Sequence, residues 1–189
     1  HSLLYLLLFA WFGYRLFWRL SSRASVAVLA ALLLTVDYSL FLNFNWIAAR
    51  NVFIAGALGC AMLEQFLLWR QQGQGWRLAL SLVLFAAGLL SAESSIALAG
   101  YLFAYLWLVE RPGWQRLLIG LLPFALVVVC WRLAYNLMGY GADGISLYVD
   151  PVHSPLRFLQ SLAVTLPNLL MAVVTSVALM MDCLTSLAG

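Results

Sequence analysis

The chain contains no lysine, only two histidines and three cysteines, and charged side chains make up just 9% of its 189 residues. All ten positively charged side chains are therefore arginines, and they are scattered among apolar runs instead of forming one basic face. This distribution argues against a nucleic-acid-binding protein. The cysteines, Cys60, Cys130 and Cys183, lie far apart in apolar segments, and we expect buried structural thiols.

Sequence motifs for nucleotide binding and for common catalytic sites are also lacking. No GxGxxG or phosphate-binding loop, no GxSxG element and no HExxH metal motif occurs. Two histidines cannot complete a metal cluster with three separated cysteines, so no metal site and no certain cofactor is predicted. A requirement for a divalent metal remains open.

Apolar sequence is what the chain has in abundance, with 65% hydrophobic residues and a mean hydropathy of +0.98. An ordinary globular domain is roughly half apolar and about a quarter charged. A soluble fold of this size could not bury so much apolar surface, because its core volume is limited. We therefore predict an all-α, polytopic bundle of transmembrane helices over residues 1–189. Because the chain opens inside an apolar helix pattern, we expect it to be a piece of a longer membrane protein.

The number of spans depends on the segment 78–107. A membrane-spanning helix needs about 20 mostly apolar residues. Thirty helical residues would reach about 45 Å, too long for one span of a roughly 30 Å hydrocarbon core and too short for two full ones. The polar cluster SAESS (91–95) predicts two short helices that meet at Glu93. The sequence then predicts seven spans: 3–18, 24–42, 52–69, the two short helices, 117–137 and 158–181.

The arginines orient these spans. Cytoplasmic loops of membrane proteins are rich in arginine and lysine, and the loops after the first, third and fifth predicted spans carry most of the arginines. The end predicted to be cytoplasmic is marked by Arg15, Arg19, Arg23, Arg70, Arg77, Arg111 and Arg116. Interfacial tryptophans are expected at the same end: Trp18, Trp69, Trp76, Trp107 and Trp114.

The other, extracytoplasmic end holds the polar stretch NFNWIAARN (43–51). Arg50 and Trp46 are four residues apart, so they share a face if the third helix begins just before them. An ionisable residue at membrane depth is costly unless it faces a partner or a water-filled cavity. The natural partner of Arg50 is the carboxylate of Glu93 or Asp37. In the alternative interpretation, Arg50 is an interfacial anchor whose side chain reaches water.

An external loop is predicted at 138–157, where glycine, serine and proline are frequent. Asp150 and His153 lie on it, and binding groups often concentrate on such loops, although a solvated connector is the alternative. Arg132, near the outer end of its span, either joins this site or reaches water. Glu64 lies one turn from the cytoplasmic end of the third span, where we expect it to be solvated.

Three motifs resemble those of polytopic membrane glycosyltransferases of the C-type (GT-C) fold, in particular the protein O-mannosyltransferase-like and tetratricopeptide-bearing mannosyltransferase relatives. They are WIAARN (46–51), LLSAESSIAL (89–98) and LLPFALVVVCWRL (121–133). Trp46 and Arg50 match a W-I-x-x-R pattern, and Arg132 matches a later arginine. Glu93 matches the glutamate of a Lys-Glu pair, in which Ala92 stands in place of the lysine.

The resemblance implies a GT-C enzyme of the cell membrane, and of the bacterial inner membrane in particular, that transfers a sugar from a polyprenyl-phosphate donor on the extracytoplasmic face. It places the catalytic base upstream of His1. The planar fork of arginine suits phosphate oxygens. Residues expected to bind the donor phosphate or line the site are Arg50, Glu93, Trp46, Asn51, Asp150, His153 and Arg132. The alternative is a non-enzymatic polytopic protein, such as a transporter of lipid-linked glycans or an assembly subunit.

Overall fold

The computed structural model describes residues 2–36, 50–139, 154–168 and 170–171. Every regular element in these ranges is helical, which confirms the all-α prediction. The chain divides into two compact units, His1–Leu137 and Met138–Gly189. In the second unit, the segment 155–168 is helical.

The described part of the first unit contains six α-helices. They are α1 (Ser2–Ser21), α2 (Ala24–Val36), α3 (Arg50–Gln72), α4 (Gly75–Ser91), α5 (Leu98–Ala104) and α6 (Trp114–Leu137). A 3-10 helix, Glu93–Ala97, precedes α5, and a π-helical segment, Tyr105–Glu110, follows it.

Three of the described helices are long and apolar enough to cross a membrane: Leu3–Ser21, Arg50–Gln72 and Trp114–Leu137. Two shorter apolar helices, Ala24–Thr35 and Gly75–Ser91, lie between them in sequence. The second and last predicted spans, 24–42 and 158–181, continue outside the described residues. Three candidate helices therefore support the transmembrane interpretation. The total of seven spans stays a prediction.

The long segment 78–107 is broken at Glu93, as its length and polar cluster predict. Helix α4 ends at Ser91, and Ala92 is in an extended conformation (φ −156°, ψ 132°) before the 3-10 helix begins. The Ser95 hydroxyl then donates a hydrogen bond to the Gly88 carbonyl oxygen (2.9 Å), folding the new helix back against the end of α4. A Cβ at Gly88 would lie 3.3 Å from that hydroxyl oxygen, so glycine permits the close approach.

The residues that meet between neighbouring helices show whether the helices run parallel or antiparallel. The Ser81 hydroxyl donates to the Met62 carbonyl oxygen (3.0 Å), within an antiparallel hairpin of α3 and α4. Gly73, at a positive φ of 68°, makes the turn after α3. Helix α1 runs parallel to α3, because the Phe9 ring occupies the space beside Gly56 and later residues of the two helices also meet.

The first unit therefore has two ends that differ in charge. The arginine-rich end comprises the last turns of α1, α3 and the π-helical segment and the starts of α4 and α6; it holds Arg15, Arg19, Arg70, Arg77, Glu110 and Arg111. The opposite end comprises the start of α3, the 3-10 helix and the last turns of α6; it holds Arg50, Glu93 and Arg132.

An aromatic cluster packs α3, α4 and α6 together. The Phe124 ring on α6 meets the rings of Phe66 on α3 and Phe85 on α4 edge-on, with centroids 5.6 and 5.7 Å apart. Edge-to-face rings at this spacing contribute a favourable interaction energy in addition to that gained from the apolar area they bury. The remaining members of this core are Met62, Leu89, Leu102, Leu106 and Leu117.

Small residues on α3 let neighbouring helices approach, as expected for helix packing in membranes. A Cβ at Gly59 would lie 2.9 Å from Leu98 on α5, and one at Gly56 would lie 2.7 Å from the Phe9 ring. Cysteine behaves differently from our expectation: Cys60 is half-buried, but Cys130 lies on the exposed face of α6. The expectation of buried thiols is thus wrong for Cys130, because α6 turns that face away from the other described helices of the first unit.

Candidate functional site

Arg50 is the first residue of α3, and its side chain is half-buried. Its Nε atom is buried and has no hydrogen-bond acceptor among the described residues. A half-buried guanidinium at that position favours an anionic partner. Asn51 follows it on the exposed side of α3.

Glu93, the first residue of the 3-10 helix, belongs to a small polar cluster with α6. Its carboxylate accepts a hydrogen bond from the Tyr135 hydroxyl. The Arg132 guanidinium carbon lies 5.8 Å from the centre of the Tyr135 ring, a cation–π distance. The structure therefore joins two predicted site residues, Glu93 and Arg132, through a tyrosine that the sequence reading did not include. We call Glu93, Tyr135 and Arg132 the Glu93 cluster.

The sequence did contain one indication that Tyr135 lies beside Arg132. It follows Arg132 by three residues on a helix, a spacing that puts two side chains on one face. What the sequence did not contain was any sign that this face of α6 meets the 3-10 helix.

Arg50 and Glu93 lie at the same end of the α3–α4 hairpin. Arg50 is twelve residues before Met62, and Glu93 is twelve residues after Ser81, so the hydrogen bond between Ser81 and Met62 is equidistant from both in sequence. Twelve residues correspond to about 18 Å of α-helix. The two side chains nevertheless form no direct ion pair, and Glu93 pairs with Tyr135 instead. A contact between Arg50 and Glu93 through one water molecule, or between Arg50 and Asp37, stays a prediction.

The other expected members of the site lie outside the described residues. Trp46 and Asp37, the second candidate partner of Arg50, precede α3. Asp150 and His153 belong to the predicted external loop, 138–157, of which only the two ends are described. Their contribution to a site with Arg50 stays a prediction.

A second charged cluster lies at the arginine-rich end, between α1 and α3. Glu64 is only 2% exposed, so the expectation that it is solvated is wrong. Its Oε1 atom accepts hydrogen bonds from Nε (3.1 Å) and Nη2 (2.9 Å) of Arg15, and Nε of Arg19 lies 3.6 Å away. The Oε2 atom is buried and has no partner among the described residues. A carboxylate one turn from a helix end can still be buried when a neighbouring helix covers it.

Further ion and hydrogen-bond pairs tie the other helix ends together. Arg70 at the end of α3 binds the Glu110 carboxylate with two nitrogens, including Nε to Oε2 at 2.9 Å. Arg77 donates to the side-chain oxygens of Gln74 (2.7 Å) and Gln65 (3.2 Å). These pairs connect the end of α3 to the π-helical segment and to the start of α4.

Within the described ranges, no group of three or more His, Cys, Asp or Glu side chains could hold a metal ion. No protein-family model, curated protein or solved structure matches the chain in comparisons with known proteins.

Proposed function

We propose that the chain is a multi-pass protein of the cell membrane with seven spans, and that its arginine-rich end is cytoplasmic. Large apolar side chains remain exposed along two of the three candidate spans, Leu3–Ser21 and Trp114–Leu137, which suits a lipid environment. Exposed tryptophans gather at the arginine-rich end, where interfacial aromatic residues would lie: Trp18, Trp76, Trp107 and Trp114. Because α4 and the return through α5 both cross the unit, the arginines of successive loops fall at one end.

The topology can be tested with single cysteines in a variant that lacks Cys60, Cys130 and Cys183. In intact cells, a cysteine at Gln72 or Gly113 should be shielded from an impermeant thiol reagent. Gln72 is the last residue of α3 and Gly113 follows the π-helical segment, both at the end proposed to be cytoplasmic. A cysteine at Gly141 in the predicted external loop should be labelled. Permeabilised cells serve as the control, in which all three should react. Labelling at Gly113 in intact cells would contradict the two crossings within 78–107.

We further propose that the chain forms the transmembrane core of a GT-C glycosyltransferase, which takes its sugar from a polyprenyl-phosphate donor on the extracytoplasmic face. The observation that carries this proposal is the buried Nε of Arg50, which has no acceptor among the described residues. An unpaired buried donor is costly, so a ligand that supplies the acceptor would be bound favourably. Phosphate oxygens fit the planar guanidinium fork.

The Glu93 cluster supplies complementary chemistry at the same end. Tyr135 holds the Glu93 carboxylate by a hydrogen bond, and Arg132 lies over the ring of that tyrosine. A fixed carboxylate accepts hydrogen bonds from sugar hydroxyl groups, whereas the arginines favour the phosphate. Preorganised positive charge also stabilises the negative charge that develops on a departing phosphate. In this proposal Arg50 binds the leaving group.

Replacing Arg50 by alanine should reduce donor binding by about ten- to a hundredfold and abolish measurable transfer, because a charge-assisted contact contributes about 1.5–3 kcal/mol. Arg50→Lys should restore activity only partly, since lysine offers a point charge without the planar fork. The measurement is transfer of a labelled sugar from its polyprenyl carrier by purified full-length protein.

The matched control is Arg23→Ala, which removes an exposed arginine at the arginine-rich end and should leave transfer unchanged. Thermal unfolding of each variant separates loss of function from loss of fold. Equal turnover by the wild type and Arg50→Ala would contradict the role of Arg50. It would favour the non-enzymatic alternative, in which these charged groups only hold the helices together.

A further inference from the structure

The loop between the π-helical segment and α6 borders an open surface cavity that the proposed transfer reaction does not use. It has a volume of about 360 Å³ and is lined by Trp107, Leu108, Arg111, Pro112 and Leu117. This size is at the lower end of small-molecule sites, enough for a polar headgroup but not for a whole lipid. The cavity lies at the arginine-rich end, opposite Arg50 and the Glu93 cluster.

The lining combines apolar surface with one permanent positive charge. Leu108, Pro112 and Leu117 are apolar, and Arg111 is the charged member. Nε of Arg111 donates to the Leu108 carbonyl oxygen (3.1 Å), which restrains the guanidinium near the loop. No described acidic side chain forms an ion pair with Arg111, and the adjacent Glu110 is already bound by Arg70. The cavity therefore has a net positive charge available to an anion.

Aromatic contacts hold one wall of the cavity in place. The Trp107 ring stacks on Phe103, with centroids 5.8 Å apart and planes at 18°, and it meets Trp114 edge-on at 6.2 Å. Trp107 and Trp114 are nevertheless 51% and 60% exposed. Large exposed indoles held in fixed positions beside an arginine are typical of the membrane–water interface, where lipid headgroups lie.

We propose that this cavity binds the headgroup of an anionic phospholipid of the cytoplasmic leaflet, with the phosphate on Arg111 and the start of the acyl chains on the apolar lining. Charge complementarity favours an anionic headgroup over a zwitterionic one, and basic pockets at the cytoplasmic side of helix bundles suit this class of lipid. The apolar lining favours a membrane lipid over a soluble phosphate. The inference rests on the proposed membrane orientation but not on glycosyl transfer.

Native mass spectrometry of the full chain, purified in neutral detergent, tests this site. Phosphatidylglycerol and phosphatidylcholine with identical acyl chains are offered in equal amounts. The wild type should retain phosphatidylglycerol with about tenfold preference, and Arg111→Gln should lose that preference. Arg111 has a left-handed backbone conformation (φ 47°). Glutamine is used because, like arginine, it is not glycine, so the backbone strain at this position changes little.

Arg116→Gln is the matched control. It removes an equal charge, and Arg116 lies five residues after Arg111 and does not line the cavity. It should change the preference by less than about twofold, a difference typical of an exposed charge. A second variant, Leu108→Trp, fills the cavity with all charges retained and should also lose the preference. Leu108 is exposed, so this change should leave the fold intact.

Four outcomes would overturn the site. Equal losses in Arg111→Gln and Arg116→Gln would mean diffuse attraction to the whole end. An unchanged preference in Leu108→Trp would remove the cavity from binding, as would a wild type with no preference. Displacement of the lipid by millimolar inorganic phosphate would assign the site to a soluble anion. Arg50→Ala should bind phosphatidylglycerol like the wild type, which separates this proposal from the glycosyl-transfer one.

Discussion

Replacing Arg15 by methionine should lower the free energy of unfolding by about 2 kcal/mol, and replacing both Arg15 and Arg19 should lower it by about 3–5 kcal/mol. Glu64 is almost fully buried and receives two hydrogen bonds from Arg15, while Arg19 lies 3.6 Å away. When both arginines are replaced, the buried carboxylate of Glu64 loses its positively charged partners. The single change is smaller because Arg19 retains part of the interaction.

Replacing Glu64 should lower the free energy of unfolding by less than replacing Arg15 and Arg19 together. The Arg15 side chain is 40% exposed and can reach water or lipid phosphates after it loses its partner, whereas Glu64 cannot. Apolar residues of similar volume often replace a buried ion pair without loss of stability. The triple variant Arg15→Met, Arg19→Met, Glu64→Leu should therefore recover most of the stability that the double variant loses.

Equilibrium unfolding in mixed detergent micelles measures these differences. The matched control is Arg23→Met, an exposed arginine that forms no ion pair with any described residue, and its effect should stay within about 0.5 kcal/mol. A loss in Arg23→Met as large as in Arg15→Met would show that overall charge matters and Glu64 does not. Failure of Glu64→Leu to rescue the double variant would contradict the unpaired-carboxylate explanation.

Phe124→Ala should lower the free energy of unfolding by about 3–5 kcal/mol, the range for a buried aromatic ring replaced by alanine. The ring is 1% exposed and touches aromatic rings of both α3 and α4. Association of helices in lipid depends on packing, because lipid chains are as apolar as leucine. A cavity at this point removes dispersion contacts from three helices at once.

Leu126→Ala is the control for this second variant, because Leu126 lies two residues further along α6 and is 55% exposed. Its effect should be less than about 1 kcal/mol, since an exposed side chain leaves no cavity. Phe124→Leu should be intermediate. Equal effects at Phe124 and Leu126 would mean that α6 does not pack on α3 and α4 through the aromatic cluster.

The sequence by itself determined the helical class and the break at Glu93. Both depend on quantities that a chain carries locally: apolar composition, segment length and the rise of about 1.5 Å per residue. Thirty residues with SAESS at their centre could not form one span, and α4 indeed ends at Ser91. The gathering of arginines at one end follows from the same axial arithmetic, because alternating helices return the chain to the same side.

Only the tertiary structure decided which side chains meet at a given height. Rise along a helix places Arg50 and Glu93 at one end, but the rotation of each helix about its axis determines whether they touch. Glu93 turns to Tyr135 of α6, and Glu64 turns to Arg15 of α1. Those rotations are set by how the small residues of α3 and the ring of Phe124 pack against their neighbours. Such packing depends on residues distant in sequence, so position along the chain predicts the level of a charge but not its partner.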